Sequence, residues 1–246
     1  MNQTIVNDFF ELMISRKMFS SKKNLQFKLN SLFKNVNLAN KNVLDVGGGS
    51  GLLSFYAAVK GAQKVVCLEP EFAGSTSGVT SKFYALKKEL PTSLPIELNT
   101  HTLQDYFQEA GNEIYDVVIM HNSINHLDEE ACINLLKSAA CYNTYLAIFK
   151  NVFRIMKKGG LLIVTDCSCK NFFNDIRVKN VLAPSIEWHK HQIPRTWVKL
   201  LKAADFRNSK VKWLTPNRFG KPGIFVLGNP LMAYMTASYF KVTIVK

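Results

Sequence analysis

The sequence predicts an α/β protein built on a parallel sheet, and three observations carry that reading. Val43-Leu44-Asp45-Val46 runs into Gly47-Gly48-Gly49-Ser50-Gly51 and then Leu52-Leu53, the pattern of a buried strand, a glycine turn and the start of a helix. Glycines let backbone pass beneath a ligand where any Cβ would collide. One βα unit downstream, Lys64-Val65-Val66-Cys67-Leu68 reads as the next strand, with Glu69 at its carboxyl end. A carboxylate there can accept hydrogen bonds from both hydroxyls of a ribose. Strand and helix patterns then alternate up to about residue 166, the rhythm of right-handed βαβ crossovers.

Along the chain, residues 1–40 read as helical. Phe9, Phe10, Met13 and Ile14, then Leu25, Leu29, Leu32 and Phe33, fall at helical spacings and form faces that pack on a sheet edge. Strands are expected at 42–46, 64–69, 95–101, 115–120 and 160–166, with helices near 51–60, 77–89, 129–138 and 145–157. Gly159-Gly160 is expected to cap the last of these helices and turn the chain into the fifth strand. Residues 168–194 exceed what a minimal sheet needs, and a helix follows from Arg195 to Ala204. Two further strands are expected at 210–214 and 239–245, the second alternating as a half-exposed strand does. The segment joining them, 216–237, is long for a hairpin loop and is expected to add substrate or dimer contacts, a homodimer being one use of it.

Composition bounds the function classes. A chain of 246 residues with 47% apolar content can bury a full core and fits one catalytic domain. No apolar run reaches membrane-spanning length, and Met1-Asn2-Gln3-Thr4 lacks a secretory pattern, so a soluble, cytoplasmic protein without a membrane partner is expected. Five cysteines is an odd number, and Cys167-x-Cys169 has no second pair at zinc-ligand spacing. They read as reduced and mostly buried, with no metal site. The net charge of +13 comes mostly from lysines spread singly or in pairs such as Lys22-Lys23, Lys87-Lys88 and Lys157-Lys158. No arginine block with interleaved aromatics stands out, which argues for a solvated surface over a nucleic-acid face and leaves room for an anionic substrate.

Glycine spacing separates two cofactor classes. A dinucleotide fingerprint needs a third glycine at position 52, which is Leu. Gly47-x-Gly49-x-Gly51 behind Asp45 instead resembles the first motif of the class I S-adenosylmethionine-dependent methyltransferases. The resemblance spans about residues 40–246. It implies a Rossmann-like, doubly wound seven-stranded sheet of order 3-2-1-4-5-7-6 with strand 7 antiparallel. It also implies a helical lid over residues 1–40, a methyltransferase domain over 41–246 and a substrate-side insertion at about 168–194. The implied cofactor is S-adenosylmethionine, held by Asp45, Gly47, Gly49 and Gly51, with its ribose on Glu69. Family members often place an acid where this chain has Thr102, to bond the adenine amino group. Here the Thr102 hydroxyl or Asp105 takes that part, and Leu103 touches the adenine face.

The fourth strand, Tyr115 to Met120, leads into His121-Asn122-Ser123-Ile124-Asn125-His126-Leu127. Open α/β sheets bind ligands beyond the carboxyl ends of their strands, so Asn122 is assigned to the cofactor and Asn125 to the acceptor. Neither the Asn- or Asp-Pro-Pro-aromatic run that holds a flipped nucleobase nor a Pro-Cys nucleophile is present. His126 resembles a histidine common here in small-molecule methyltransferases. Asp166 ends the fifth strand, and Glu187, Trp188, His189 and His191 cluster in the insertion, as a substrate wall or base or as a surface loop. The expected reaction is in-line methyl transfer to a small-molecule oxygen or nitrogen, with His126, and His189 or His191, handling the proton. The alternatives are an RNA or protein acceptor, or an S-adenosylmethionine-binding protein without catalysis.

Overall fold

The computed structural model describes residues 3–71 and 77–246. Its elements run α1 (Gln3–Ser15), α2 (Lys22–Leu32), β1 (Asn42–Val46), α3 (Leu52–Val59), β2 (Lys64–Leu68), α4 (Val79–Glu89), β3 (Ile96–Asn99), α5 (Leu103–Glu109) and β4 (Tyr115–His121). They continue with α6 (Glu129–Ile133), α7 (Ala139–Ile155), β5 (Met156–Cys167), α8 (Phe172–Asp175), α9 (Pro194–Ala203), β6 (Arg207–Trp213), α10 (Gly220–Leu227), α11 (Pro230–Met235) and β7 (Tyr239–Val245). The seven strands are ordered β3-β2-β1-β4-β5-β7-β6. β1 pairs with β2 and β2 with β3 in parallel, whereas β7 runs antiparallel to both β5 and β6. The Rossmann-like order implied by the glycine motif is therefore the one observed. The chain divides into two compact units, Met1–Ile119 and Met120–Lys246.

In the first unit, β1 and β2 are apolar and buried along nearly their whole length, as parallel strands covered on both faces must be. α3 buries seven of its eight residues, and a helix apolar on all sides belongs inside. α1 packs on α3 through Phe9 and Phe10, whose rings lie 5.9 and 6.3 Å from that of Tyr56. α2 starts at Ser21, whose hydroxyl accepts from the Asn24 amide, and buries Leu25, Leu29 and Leu32. The N-terminal helices are thus seated on the helix that follows the glycine turn.

In the second unit, α7 buries Tyr145, Ile148, Phe149, Val152 and Ile155 along one face. Trp197 of α9 meets that face, 5.3 Å from the Tyr145 ring and 6.0 Å from the Phe149 ring. β6 is one edge of the sheet, and exposed Arg207, Lys210 and Lys212 make it a poor template for a further strand.

Three local expectations differ from the structure. Gly159 and Gly160 do not cap a helix: β5 starts at Met156, directly after α7, and the glycines lie within it. Gly159 donates to the Lys246 carbonyl and Lys246 donates to that of Gly160, so the pairing with β7 reaches past Leu161 and draws the glycines into the strand. The helix expected over 129–138 ends at Ile133, and the one expected from 145 starts at Ala139. Ser138 sets that start, its hydroxyl accepting from the Cys141 amide. α5, α8, α10 and α11 were not expected; α5 begins where Thr102 caps it.

The segments after β5 and after β6 are sewn together by one buried side chain. The Asn171 amide donates to the carbonyls of Thr236 (2.7 Å) and Tyr234 (3.2 Å) and to Ser238 Oγ (2.9 Å). Its oxygen accepts from the Phe173 amide and from Asn180. Asn171→Ala is expected to cost about 2–4 kcal/mol, because it strands several buried backbone groups at once. Urea denaturation reads this directly, and a loss under about 0.5 kcal/mol would show that water takes over these bonds.

Candidate active site

In the first unit, the glycine turn is held against the end of β2. The amides of Gly47 and Gly48 donate to the Leu68 carbonyl at 2.8 and 3.3 Å, and that of Gly49 donates to Glu69 Oε2 at 2.8 Å. Gly47, Gly49 and Gly51 have φ of +67°, +56° and +87°, a region that L side chains disfavour. The three differ in surroundings. A Cβ at Gly51 would meet the Phe83 ring at 2.6 Å, whereas one at Gly49 would meet nothing within 4 Å. The space over Gly49 is the open cradle that a ligand lying on the turn requires. Gly48, absent from the expected set, is the tightest position: its Cβ would fall 2.5 Å from Cys67 Sγ.

Two carboxylates flank the turn. Glu69 is buried and accepts from the amides of Gly49 and Glu71, which leaves lone pairs on both oxygens for further donors. Asp45 is 1% exposed; Oδ2 accepts from the Ser54 hydroxyl at 2.6 Å, and Oδ1 is buried with no partner among the described residues. Burial pushes the Asp45 carboxyl up to about 6, with Glu69 adding repulsion and Ser54 opposing the shift. Ser54 lies one helical turn beyond the glycines and was not anticipated. Thr102 caps α5: its oxygen accepts from the Asp105 amide at 3.0 Å and its hydroxyl donates to Asp105 Oδ2 at 2.7 Å. Leu103 is buried as the first residue of that helix, where its amide lacks an intrahelical acceptor.

In the second unit, the carboxyl ends of β4 and β5 bring together most of the expected acceptor residues. His121 bonds Thr165 through Nδ1, and the Asn122 amide donates to the Thr165 carbonyl, with φ of +55° at Asn122 turning the chain. Ile124–His126 form a 3-10 turn. The Tyr145 hydroxyl sits among three carbonyls beneath it, those of Ile124, Asn125 and Asp128, at 2.9, 3.3 and 3.2 Å. Asn125 is buried, with Oδ1 unpartnered among the described residues and its amide 3.4 Å from His126 Nε2.

Of the three histidines expected to handle the proton, His126 and His191 are backed by carboxylates and His189 is not. His126 Nδ1 lies 2.6 Å from Glu129 Oε1, and both side chains are substantially exposed. Glu129 is shared with Lys190 at 3.0 Å, which in turn meets Glu187 at 2.9 Å. Lys190 holds the Glu129 carboxyl below its usual range, while Glu187 and Glu129 hold the Lys190 ammonium above its own. His191 is more enclosed. Its Nδ1 lies 2.9 Å from Oδ1 of Asp166, which is 1% exposed and also accepts from the Cys167 amide; Oδ2 is buried without a partner among the described residues. Asp166, Cys167 and His191 also have metal-ligand types, with atoms within 4.8 Å of one another. The direct Asp166–His191 bond and the burial-raised Cys167 thiol fit a hydrogen-bonded pair better than a ligand set. Trp188 is half-buried and His189 is exposed on a 3-10 turn, with no hydrogen bond for either ring among the described residues.

Asp45 gives this geometry a measurable pH signature. Its folded value, about 6, lies above the ordinary carboxylate value. The folded state therefore binds more protons between about pH 4 and 6, and stability falls as pH rises through that window. At neutral pH the buried charge costs about 3 kcal/mol. Asp45→Asn keeps an acceptor for Ser54 and removes the charge, so it should stabilise the chain at about pH 7 and leave it little changed at about pH 4. Chemical denaturation at both values checks this; equal effects at the two would show that charge is not the burden.

Comparisons with known proteins agree with this geometry. The family described as "Methyltransferase domain" matches residues 15–211. A search of curated proteins by sequence found no match. Among solved structures, a Listeria monocytogenes protein described as an S-adenosylmethionine-dependent methyltransferase shares 17% identity at a TM-score of 0.61, covering 92% of this chain and 99% of that one. A methyltransferase from Aquifex aeolicus shares 15% at 0.58, covering 94% and 96%. The Haemonchus contortus phosphoethanolamine N-methyltransferase 2, in complex with phosphomonomethylethanolamine and S-adenosylhomocysteine, shares 13% at 0.58, covering 89% of this chain and 52% of that one. The matched family, the strand order and the glycine cradle converge: this chain belongs to the S-adenosylmethionine-dependent methyltransferases.

Proposed function

We propose that the chain methylates a small-molecule oxygen or nitrogen and that His191, backed by Asp166, receives the acceptor's proton. The cofactor supplies a methyl group on a sulfonium, so the protein's tasks are to hold both partners and take the proton. The observation that carries the reading is the burial of Asp166 under His191. A nearly inaccessible carboxylate, hydrogen-bonded to Nδ1, fixes the imidazole with Nε2 as acceptor. His126 has the same pairing in a weaker form, because Glu129 is already matched by Lys190 and the pair is open to solvent. This reverses the order that sequence spacing suggests. His126, Asn125, Glu187 and Trp188 then line the acceptor side, and His189 takes no part in proton transfer.

The cofactor fits the first unit. Glu69 has lone pairs left for the ribose hydroxyls, the space over Gly49 is open, and Asp45 Oδ1 is a buried acceptor in want of a donor. Leu103 and Thr102 are kept for the adenine. A small acceptor is supported by the lack of a nucleobase-holding run after β4 and by the phosphomonomethylethanolamine that accompanies the Haemonchus enzyme. An anionic acceptor also suits the net charge of +13.

Two sets of variants test these assignments. Glu69→Ala removes two hydrogen bonds to a charged group and should weaken S-adenosylmethionine by about 10²-fold, measured by calorimetric titration; wild-type affinity would reject the site. His191→Ala should lower kcat by about 10²-fold or more at unchanged cofactor affinity, with a smaller effect from His126→Ala. Full turnover by His191→Ala with loss in His126→Ala would restore the sequence-based order. Efficient methyl incorporation into bulk RNA at physiological salt would overturn the small-molecule reading.

A further inference from the structure

Exposed apolar side chains are concentrated in two segments of the second unit. Of the thirteen large apolar residues exposed among the described residues, ten lie in 176–182 and 219–235. Phe225 is 91% exposed, Leu231 68%, Val226 63% and Val181 78%. Monomeric proteins expose single apolar residues routinely, but a concentration of this kind marks a binding surface. The two segments are one construction: Asn171 and Asn180 bond the Thr236 carbonyl, the Tyr234 hydroxyl donates to Asp175, and the Phe172 and Tyr234 rings lie 6.2 Å apart.

Cations accompany the apolar side chains. Lys170, Arg177 and Lys179 are exposed on the first segment, and none has an ion-pair partner among the described residues. No acidic residue occurs between 206 and 246. A second copy of the chain would bring the same cations against themselves, with +13 on each copy. A nucleic acid would leave Phe225, Val226 and Leu231 in water or against phosphates. An anionic lipid surface satisfies both features, taking the apolar side chains below its headgroups and the cations at their level.

We propose that the 170–182 and 219–235 segments attach the enzyme to the surface of an anionic membrane. No helix among the described residues is long and apolar enough to cross one, so the attachment is superficial. It differs from the sequence expectation of no membrane partner, which rested on the lack of a spanning run. The proposal stands on exposed residues remote in sequence from the glycine turn and is independent of which histidine serves as base.

Co-sedimentation with vesicles of phosphatidylcholine and phosphatidylglycerol in equal parts, against phosphatidylcholine alone, tests it. The wild-type chain should sediment with the mixed vesicles, less so as sodium chloride rises, and little with the neutral ones. F225S/V226S changes two exposed residues and should weaken binding about tenfold or more, with thermal stability and S-adenosylmethionine affinity unchanged. K170E/K179E should lose binding to the mixed vesicles in the same way. Absence of sedimentation by the wild-type chain, wild-type binding by either variant, or a wild-type dimer that F225S/V226S dissolves in analytical ultracentrifugation would each overturn the proposal, the last in favour of a second copy.

Discussion

Three consecutive backbone amides, bonded to the last residue of β2 and the one after it, hold the glycine turn of the first unit in place. Gly47 and Gly48 give their N–H groups to Leu68, and Gly49 gives its own to Glu69. The turn can lie that close to β2 only because residue 48 has no Cβ to strike Cys67. The same closeness fixes the Glu69 carboxylate, which is oriented by an amide of the turn. Asp45 is buried at the base of the turn, and Ser54 on α3 is its partner. Strand, turn, helix and the next strand's last residue are thus one hydrogen-bonded unit.

The second unit answers a different requirement, the presentation of polar groups on a sheet that is otherwise apolar. A buried Asp166 is tolerable because it has His191 and a backbone amide to bond. Lys190 spans Glu129 and Glu187, so the loop after β4 and the insertion after β5 are matched in charge as well as in shape. Cys132 and Gln192 add bonds between the same two segments, through the Lys190 and Cys132 carbonyls. The insertion is therefore tied to the sheet's carboxyl ends by polar contacts rather than by a core of its own.

The sheet and its order were legible because short apolar runs and a glycine turn are local signals, and the family resemblance supplied the permutation of strands. The glycine turn and the carboxylate after β2 were legible for the same reason, whereas Gly48 and Ser54 were not singled out. Their importance depends on Cys67 and Asp45 lying across a turn, which no spacing rule encodes. Gly159-Gly160 misled because a helix-ending signal and a strand that pairs with the last residue of the chain look alike in sequence. What separates His126 from His191 was not legible: both have a carboxylate within reach, but only the fold buries Asp166 and leaves Glu129 to Lys190. The exposed apolar segments were read as long connections, since composition alone does not say which side of a short helix meets water.

Tyr145 has one proton and three carbonyls within reach. A single O–H can satisfy only one of them well at a time, so the hydroxyl is a rotor with alternative stations. When the loop from Ile124 to Asp128 shifts slightly, the bond can pass from one carbonyl to the next without leaving the donor unpaired in a buried position. The loop is therefore supported as on a bearing, firm against lifting away from α7 and compliant to small sliding motions. Such compliance lets the backbone between β4 and α6 shift along α7 while the buried hydroxyl keeps an acceptor at each position.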